Sequence, residues 1–182
     1  MDPVESCPHC AGMRPTRRSV VAGLTASTVL AAQPLTAAPS SPEDERFMRI
    51  AIAEARRADF PFGAVIVRDG APIMRGRNRG RATDDPTAHG EMVAIRRCVA
   101  RHGSQVMKGA TLYTSGEPCV MCMGAILWCG FGRLVYAASV AQIATKLNQI
   151  MVTSAEIAAK APFSHIAITG GVLADEAMAL FK

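Results

Sequence analysis

The chain has 182 residues, of which 49% are hydrophobic, 5% are aromatic and 19% are charged. This length and apolar content suit one domain with a sizeable aliphatic core, and they exclude an intrinsically disordered chain. The formal net charge of +5 permits an anionic partner but is too small to indicate nucleic acid by itself. No stretch has the length and purity of a membrane-spanning helix, so we expect no membrane span in the mature form.

The N-terminal part predicts a secretory leader at residues 1–38, ahead of a folded domain at 39–182. Arg17 and Arg18 precede an uninterrupted, weakly apolar run from Val20 to Ala32, and small residues follow it. Positive residues, a short apolar run and a small-residue cleavage site are the three parts of a leader. The paired arginines indicate the twin-arginine type. We therefore expect a periplasmic protein, or a cytoplasmic one if the leader does not function; an anchoring N-terminal segment is the alternative.

The rest of the chain predicts strands that alternate with helices. A helix begins at Ser41-Pro42 and runs to about Arg57, because serine can cap, proline suits the first turn and acids follow. Two strands joined by a turn are predicted at Phe62–Val67 and Pro72–Asn78, and a helix from His89 to about Arg101. The later elements are a strand at Ala110–Thr114, a helix at Pro118–Cys129, a strand at Leu134–Ala138, a helix from Val140 to about Ile150, a strand at Ile166–Thr169 and a helix at Asp175–Phe181. This alternation implies an α/β fold with helices on both faces of a sheet.

Two short motifs carry the chemistry: His-Gly-Glu at 89–91 and Pro-Cys-Val-Met-Cys at 118–122. The candidate zinc ligands are His89, Cys119 and Cys122. Three protein ligands leave the fourth position of zinc open for water, which is the arrangement of catalytic zinc sites. Glu91 is well placed to move protons to and from that water. A structural zinc knuckle would need a fourth Cys or His with motif context, which the sequence does not supply.

The spacing of the cysteines predicts how the site is built. Cys119 and Cys122 are three residues apart, so they share one face of a helix and can chelate one ion. Both fall near its first turn, where free backbone N–H groups favour thiolates. His89 begins the preceding helix, so we expect two helix N-termini to converge on the metal. Cys98 and Cys129 lie in apolar helical patterns and are expected to pack in the core.

The two motifs resemble the signature of the zinc-dependent cytidine/deoxycytidylate deaminase superfamily. The resemblance covers about Ser41 to Phe181 and is nearest to bacterial guanine deaminases and tRNA adenosine deaminases. It extends to Phe-Gly-Ala-Val at 62–65, Leu-Tyr-Thr-Ser at 112–115 and Met-Gly-Ala-Ile at 123–126. It implies a three-layer α/β/α sandwich with a central five-stranded mixed sheet, one Zn²⁺ per subunit, and a homodimer with subunit contacts near the active site.

The same resemblance assigns roles to individual residues. Glu91 becomes the catalytic proton shuttle, Asn78 binds the base, and Phe62 and Trp128 supply apolar walls. Asn78 could instead be a turn residue, and the two aromatic residues could simply pack in the core. Gly90 departs from the alanine often found between the histidine and the glutamate, which should loosen the first helical turn slightly.

The substrate stays open between two classes. A free purine base or nucleoside is favoured by the likeness to guanine deaminases, although Lys-Leu-Asn-Gln at 146–149 stands where that branch usually carries acids. Adenosine in tRNA is favoured by the likeness of residues 168–176 to tRNA adenosine deaminases. Arginines alternate along one predicted strand and could face phosphates, or they could form a solvated sheet edge. They are Arg75, Arg77, Arg79 and Arg81.

We therefore expect a hydrolase that acts on C–N bonds of cyclic amidines and takes a small heterocyclic amine as substrate. A guanine deaminase-like enzyme is preferred, and a tRNA-specific adenosine deaminase is the alternative. Export would argue against a nucleic-acid partner. A catalytically idle zinc-binding module with the same fold is disfavoured, because Glu91 is intact.

Overall fold

A five-stranded mixed sheet lies at the centre of the structure, a computed structural model that describes residues 40–182. Its strands are β1 Gly63–Arg68, β2 Ala71–Arg77, β3 Thr111–Gly116, β4 Arg133–Ala138 and β5 Ala167–Thr169. They lie side by side in the order β2-β1-β3-β4-β5. β1 is antiparallel to β2 and β3, whereas β4 is parallel to β3 and β5. The predicted leader at 1–38 lies outside the described residues.

Helices cover both faces of this sheet. They are α1 Pro42–Ala55, α2 Gly80–Thr83, α3 Gly90–His102, α4 Val120–Trp128, α5 Val140–Ala144, α6 Ser154–Ala159 and α7 Ala174–Met178, with a 3₁₀ turn at Ser104–Met107. One core lies under α3 and α4 and includes Ile95, Cys98 and Ile126. The other lies under α1 and includes Phe47 and Ile52. The predicted α/β/α sandwich is confirmed. Within residues 40–182, no helix has the length and apolar character to cross a membrane.

Local sequence signals explain where several elements begin. Ser41 accepts a hydrogen bond from the backbone N–H of Asp44, whose carboxylate accepts one from the N–H of Ser41, so α1 starts with a capping box. The hairpin of β1 and β2 turns at Asp69 and Gly70, which both have positive φ. An Asp-Gly pair adopts this turn readily, so the predicted hairpin is confirmed.

Two glycines let helices approach the sheet unusually closely. A Cβ atom at Gly63 would lie 2.2 Å from the carbonyl oxygen of Ala51 in α1. A Cβ atom at Gly76 would lie 2.2 Å from the carbonyl oxygen of Gly90, the first residue of α3. The second contact fixes the position of the helix that carries the His-Gly-Glu motif.

The chain between β4 and β5 differs from the sequence prediction. A single helix from Val140 to about Ile150 was expected, but α5 ends at Ala144 and an unpredicted helix, α6, begins at Ser154. A capping box explains the start of α6: the Thr153 hydroxyl accepts a hydrogen bond from the N–H of Glu156, and the Glu156 carboxylate accepts one from the N–H of Thr153. The start of α1 at Pro42 and the strand ends at Ala138 and Thr169 are confirmed, and the other predicted ends of the strands and long helices are wrong by one to three residues.

Candidate active site

The three candidate metal ligands converge at two helix N-termini. His89 is the N-cap of α3, Cys119 is the N-cap of α4, and Cys122 lies in the first turn of α4. Their ligand atoms all lie within 4.8 Å of one another. Pro118 precedes the N-cap, so α4 starts later than the sequence predicted. Sequence spacing therefore anticipated the convergence, while the exact start of the helix was wrong.

The distances fit a tetrahedral zinc ion. His89 Nδ1 lies 3.6 Å from the Sγ atoms of both Cys119 and Cys122. Zn–N and Zn–S bonds of about 2.0 and 2.3 Å at tetrahedral angles place nitrogen and sulfur about 3.5 Å apart, close to the observed distances. In the described part of the chain, no fourth His, Cys, Asp or Glu joins this group, which leaves a position for water or substrate.

A hydrogen bond between the two cysteines moves their pKa values in opposite directions. A hydrogen bond from Cys122 lowers the pKa of Cys119 to about 4, and His89 adds to this effect. Donating that hydrogen bond, together with burial, raises the pKa of Cys122 well above its usual range. The hydrogen bond with Cys119 also raises the pKa of His89. The lowered pKa of Cys119 favours the thiolate form, which is the form that binds zinc.

Glu91 lies in the first turn of α3 and is only 5% exposed. Burial raises the pKa of its carboxyl group to about 7. Gly90 beside it lies against the start of β1, where an added Cβ would be 3.0 Å from the carbonyl oxygen of Phe62. The glycine thus serves close packing of α3 on the sheet, a role that the sequence did not reveal.

A cavity of about 700 Å³ opens over these residues. Its lining includes the side chains or backbone of Phe60, Phe62, Asn78, Arg81, Asp84, His89, Glu91, Glu117, Cys119, Met121, Leu147, Asn148, Gln149 and Ile150. Asn78 and Glu91 are buried, whereas Arg81 and Asp84 are exposed at its mouth. A pocket of this size suits a small organic ligand with room to spare.

A family comparison agrees with this geometry. The cytidine and deoxycytidylate deaminase zinc-binding region matches residues 41–138, more than half of the chain. The chain belongs to this deaminase family. The match contains both motifs and all three candidate ligands.

Relatives of the chain include both guanine deaminases and tRNA-specific adenosine deaminases. Guanine deaminase of Bacillus subtilis (strain 168) is 50% identical over 78 residues, covering 43% of this chain and 50% of that protein. A tRNA-specific adenosine deaminase of Agrobacterium fabrum (strain C58) is 43% identical over 100 residues, covering 53% of this chain and 66% of that protein. The chain thus spans half to two thirds of the length of these curated relatives.

Among solved structures, NE0047 in complex with 2,6-diaminopurine superposes with a TM-score of 0.67 at 28% identity. The superposition covers 76% of this chain and 79% of that one. The comparisons therefore agree on the deaminase family and fold, and they leave the substrate open between two classes.

The structure separates the three predicted substrate residues. Asn78 and Phe62 line the deaminase pocket, but Trp128 does not. Trp128 is the last residue of α4, is 66% exposed and stacks on Phe163 at 4.7 Å between ring centroids. It lies about two turns beyond the metal ligands and outside this cavity, so its role as an apolar wall for the substrate stays a prediction.

Several pocket residues escaped the sequence reasoning, among them Phe60, Asp84 and Met121. Asn148 and Gln149, from the stretch that the sequence contrasts with the guanine deaminase branch, also line the pocket. Arg81 places its guanidinium group 4.5 Å from the ring centroid of Phe60. Phe60 and Asp84 lie outside the helices and strands, where no periodic pattern indicates a role; only the tertiary fold brings them to the site.

Proposed function

We propose that the chain is a zinc-dependent hydrolytic deaminase, with one zinc ion per subunit, that releases ammonia from a free purine base or nucleoside. The observation that carries the proposal is the convergence of His89, Cys119 and Cys122 beside the buried Glu91 in one pocket. Membership of the deaminase family and the likeness to guanine deaminase support it.

The candidate residues divide the chemistry between them. His89, Cys119 and Cys122 would hold the zinc ion, which when bound lowers the pKa of a water molecule in its open position. Glu91 takes a proton from water and returns it to the ring nitrogen of the substrate, while a second proton goes to the departing amine. The ring carbon exchanges its amino group for oxygen, and ammonia leaves.

Asn78 is positioned to orient the base. It is 4% exposed, and its Oδ1 accepts a hydrogen bond from the backbone N–H of Gly80 at 3.0 Å. With the oxygen engaged, the amide nitrogen presents its two donors to the pocket, so it suits an acceptor atom on the ring. Phe62 adds an apolar wall against which a flat heterocycle can lie.

Adenosine in tRNA is the second candidate. The likeness to the Agrobacterium protein favours it, and so does Arg81, an exposed cation at the mouth of the pocket. Arg77 offers less to a phosphate, because it pairs with Glu54 at 3.6 Å. The predicted stripe of arginines therefore does not act as four equivalent cations.

Ammonia release tests both candidates. The zinc-loaded protein is assayed with guanine, adenine, cytosine, their nucleosides and a tRNA anticodon stem-loop, with Glu91→Ala as the control. Turnover of a base or nucleoside that is lost in Glu91→Ala supports the proposal and names the ring. Turnover of the stem-loop alone favours the tRNA candidate, and unchanged turnover by Glu91→Ala contradicts the role of Glu91.

We also propose a homodimer in which α4 contributes to the subunit contact. Val120, Trp128 and Phe163 leave an apolar surface exposed. It continues to Met121 and Ile150, which are exposed as well and line the rim of the pocket. An apolar patch of this kind marks an interaction surface. Sedimentation equilibrium of the wild type and of Trp128→Glu tests the assignment, since only the wild type is expected to dimerise.

Export to the periplasm completes the proposal and is supported by the sequence of residues 1–38 alone. A folded, metal-loaded domain suits the twin-arginine route, because the thiolates are protected by zinc before they reach an oxidising compartment. Cell fractionation of the wild type and of a variant with Arg17→Lys and Arg18→Lys checks this, since the variant should stay in the cytoplasm.

A further inference from the structure

A buried carboxylate beside the pocket has no part in the proposed proton transfers. Glu117 follows the last residue of β3, precedes the Pro-Cys motif and is 6% exposed. Its Oε2 accepts a hydrogen bond from the backbone N–H of Val140 at 2.9 Å, and its Oε1 accepts one from that of Ser154 at 2.8 Å. One side chain thus holds the backbone of two different helices.

Neither of these two N–H groups has a hydrogen-bond acceptor within its own helix. Val140 and Ser154 are the first residues of α5 and α6, and the first N–H groups of a helix lack partners within it. Each helix begins with a capping box, which satisfies the N–H groups of the N-cap and of the third helical residue. The N–H of the first helical residue has no partner in the capping box, and in both helices it donates its hydrogen bond to Glu117.

The segment between the two helices, residues 145–153, forms one wall of the pocket. Leu147, Asn148, Gln149 and Ile150 all belong to the lining. Within residues 40–182, every hydrogen bond of this segment stays between residues 142 and 157. Its hydrogen-bonded ties to the rest of the fold are therefore the two bonds from Glu117 to the flanking helices. Packing adds Leu147 and Ile143 in the core under α1 and Ile157 of α6 in the other core.

We infer that Glu117 is a positioning residue that fixes this wall of the pocket relative to the metal ligands. Its backbone is held in turn, because its N–H donates to the carbonyl oxygen of Ala138 at 2.7 Å. The strand end that presents Cys119 and the wall that faces the substrate thereby share one rigid connection. Its effect on catalysis rests on the proposed deaminase function, whereas its effect on the segment 145–153 does not.

Glu117→Gln tests the connection with little change in shape. One acceptor oxygen becomes an N–H donor that faces another donor, so one of the two bonds is lost. Lys146 is exposed and is the one lysine or arginine between residues 140 and 159, so trypsin reports opening of the segment there. We expect cleavage after Lys146 to become about 10-fold to 100-fold faster, as loss of a charge-assisted hydrogen bond implies.

The enzymatic readout separates positioning from general damage. KM for the active substrate should rise about 10-fold with a smaller change in kcat and with unchanged zinc content. Wild-type cleavage after Lys146 in Glu117→Gln would overturn the inference, and so would an equal increase at every tryptic site. Absence of turnover with every substrate would reject the proposed function and leave the cleavage result standing.

Two further variants serve as a control and as an independent test of the same hydrogen bonds. Glu54→Gln is the matched control, because Glu54 is a buried carboxylate that pairs with Arg77 and lies outside the segment's contacts; cleavage after Lys146 should stay at the wild-type rate. Val140→Pro removes one of the two donors at a position where a helix tolerates proline, and it leaves Glu117 intact. It should also accelerate cleavage after Lys146, and a wild-type rate there would contradict the inference.

Discussion

At the scale of single residues, Glu91 differs from the other buried carboxylates of the described chain. Asp44 and Glu54 each pair with an arginine, and Glu117 binds two backbone N–H groups. Glu91 is equally buried but has no arginine or lysine partner. An unpaired buried carboxylate costs stability, and such groups concentrate at functional sites. Glu91 lies beside the three candidate metal ligands, where a carboxylate without a cationic partner can take up and release protons.

The metal assignment predicts different outcomes for two buried cysteines. Cys122→Ser should lower zinc affinity by more than about 100-fold, because loss of a ligand costs more than loss of a neighbour that orients one. Cys98→Ala is the control, since Cys98 is 0% exposed but packs in the core under α3. Competition with a chromogenic chelator measures both affinities. Equal zinc affinity in the two variants would contradict the ligand set.

At the scale of elements, the site depends on how closely α3 lies on β2. Gly76→Ala would place a Cβ atom 2.2 Å from the Gly90 carbonyl oxygen and 2.5 Å from the Ala94 nitrogen. Because both neighbours are backbone atoms, α3 must move, and His89 and Glu91 move with it. We expect a loss of about 3 kcal/mol in unfolding free energy together with weaker zinc binding.

Urea denaturation and zinc titration measure this effect. Gly80→Ala is the matched control, because a Cβ atom there would meet its nearest neighbour at 3.4 Å, an ordinary contact distance. The control should keep both its stability and its zinc affinity. Wild-type stability and wild-type zinc affinity in Gly76→Ala would contradict the prediction, because they would show that the contact between α3 and β2 accepts a methyl group.

The elements also show what the sequence could and could not reveal. Ligand spacing placed the metal site, and the capping signal at Ser41 and the Asp-Gly turn placed α1 and the hairpin. The prediction of a helix that continues to about Ile150 was wrong. The apolar pattern continues past Ala144 as in a helix, but the chain there forms a wall of the pocket. The role of Trp128 rests on family likeness alone, and its position at the exposed end of α4, outside the cavity, could not be read from the sequence.

At the scale of the whole molecule, Asp44 ties one helical layer to the sheet. This residue of α1 is 3% exposed and receives two hydrogen bonds from Arg133 of β4, at 2.7 and 2.9 Å. The Tyr113 hydroxyl of β3 donates a third at 3.0 Å. Arg133 also donates to Thr169 of β5. One carboxylate thus connects a helix to two strands directly and to a third through its partner.

This tie makes stability depend on pH in a defined direction. Burial alone would raise the pKa of Asp44, but the hydrogen bonds from Arg133 and Tyr113 outweigh it and lower the pKa. Because the folded-state pKa lies below the unfolded value of about 3.9, the ionised carboxylate stabilises the folded state. That contribution is complete above about pH 4 to 5 and is lost as the pH falls through the folded-state pKa.

Asp44→Asn removes the charge while keeping the shape. We expect it to lower the unfolding free energy at pH 7 by about 2 to 3 kcal/mol, less than for a fully buried ion pair because Arg133 stays partly exposed. The difference in unfolding free energy between wild type and variant should narrow as the pH falls below about 4, because the wild-type carboxylate is then increasingly protonated in the unfolded state and, at still lower pH, in the folded state. Urea denaturation at pH 7 and at pH 3 measures both values.

Glu45→Gln is the control, because its pair with Arg49 is exposed and should contribute little at either pH. A gap that persists unchanged at pH 3 would assign the effect of Asp44 to packing rather than to its charge.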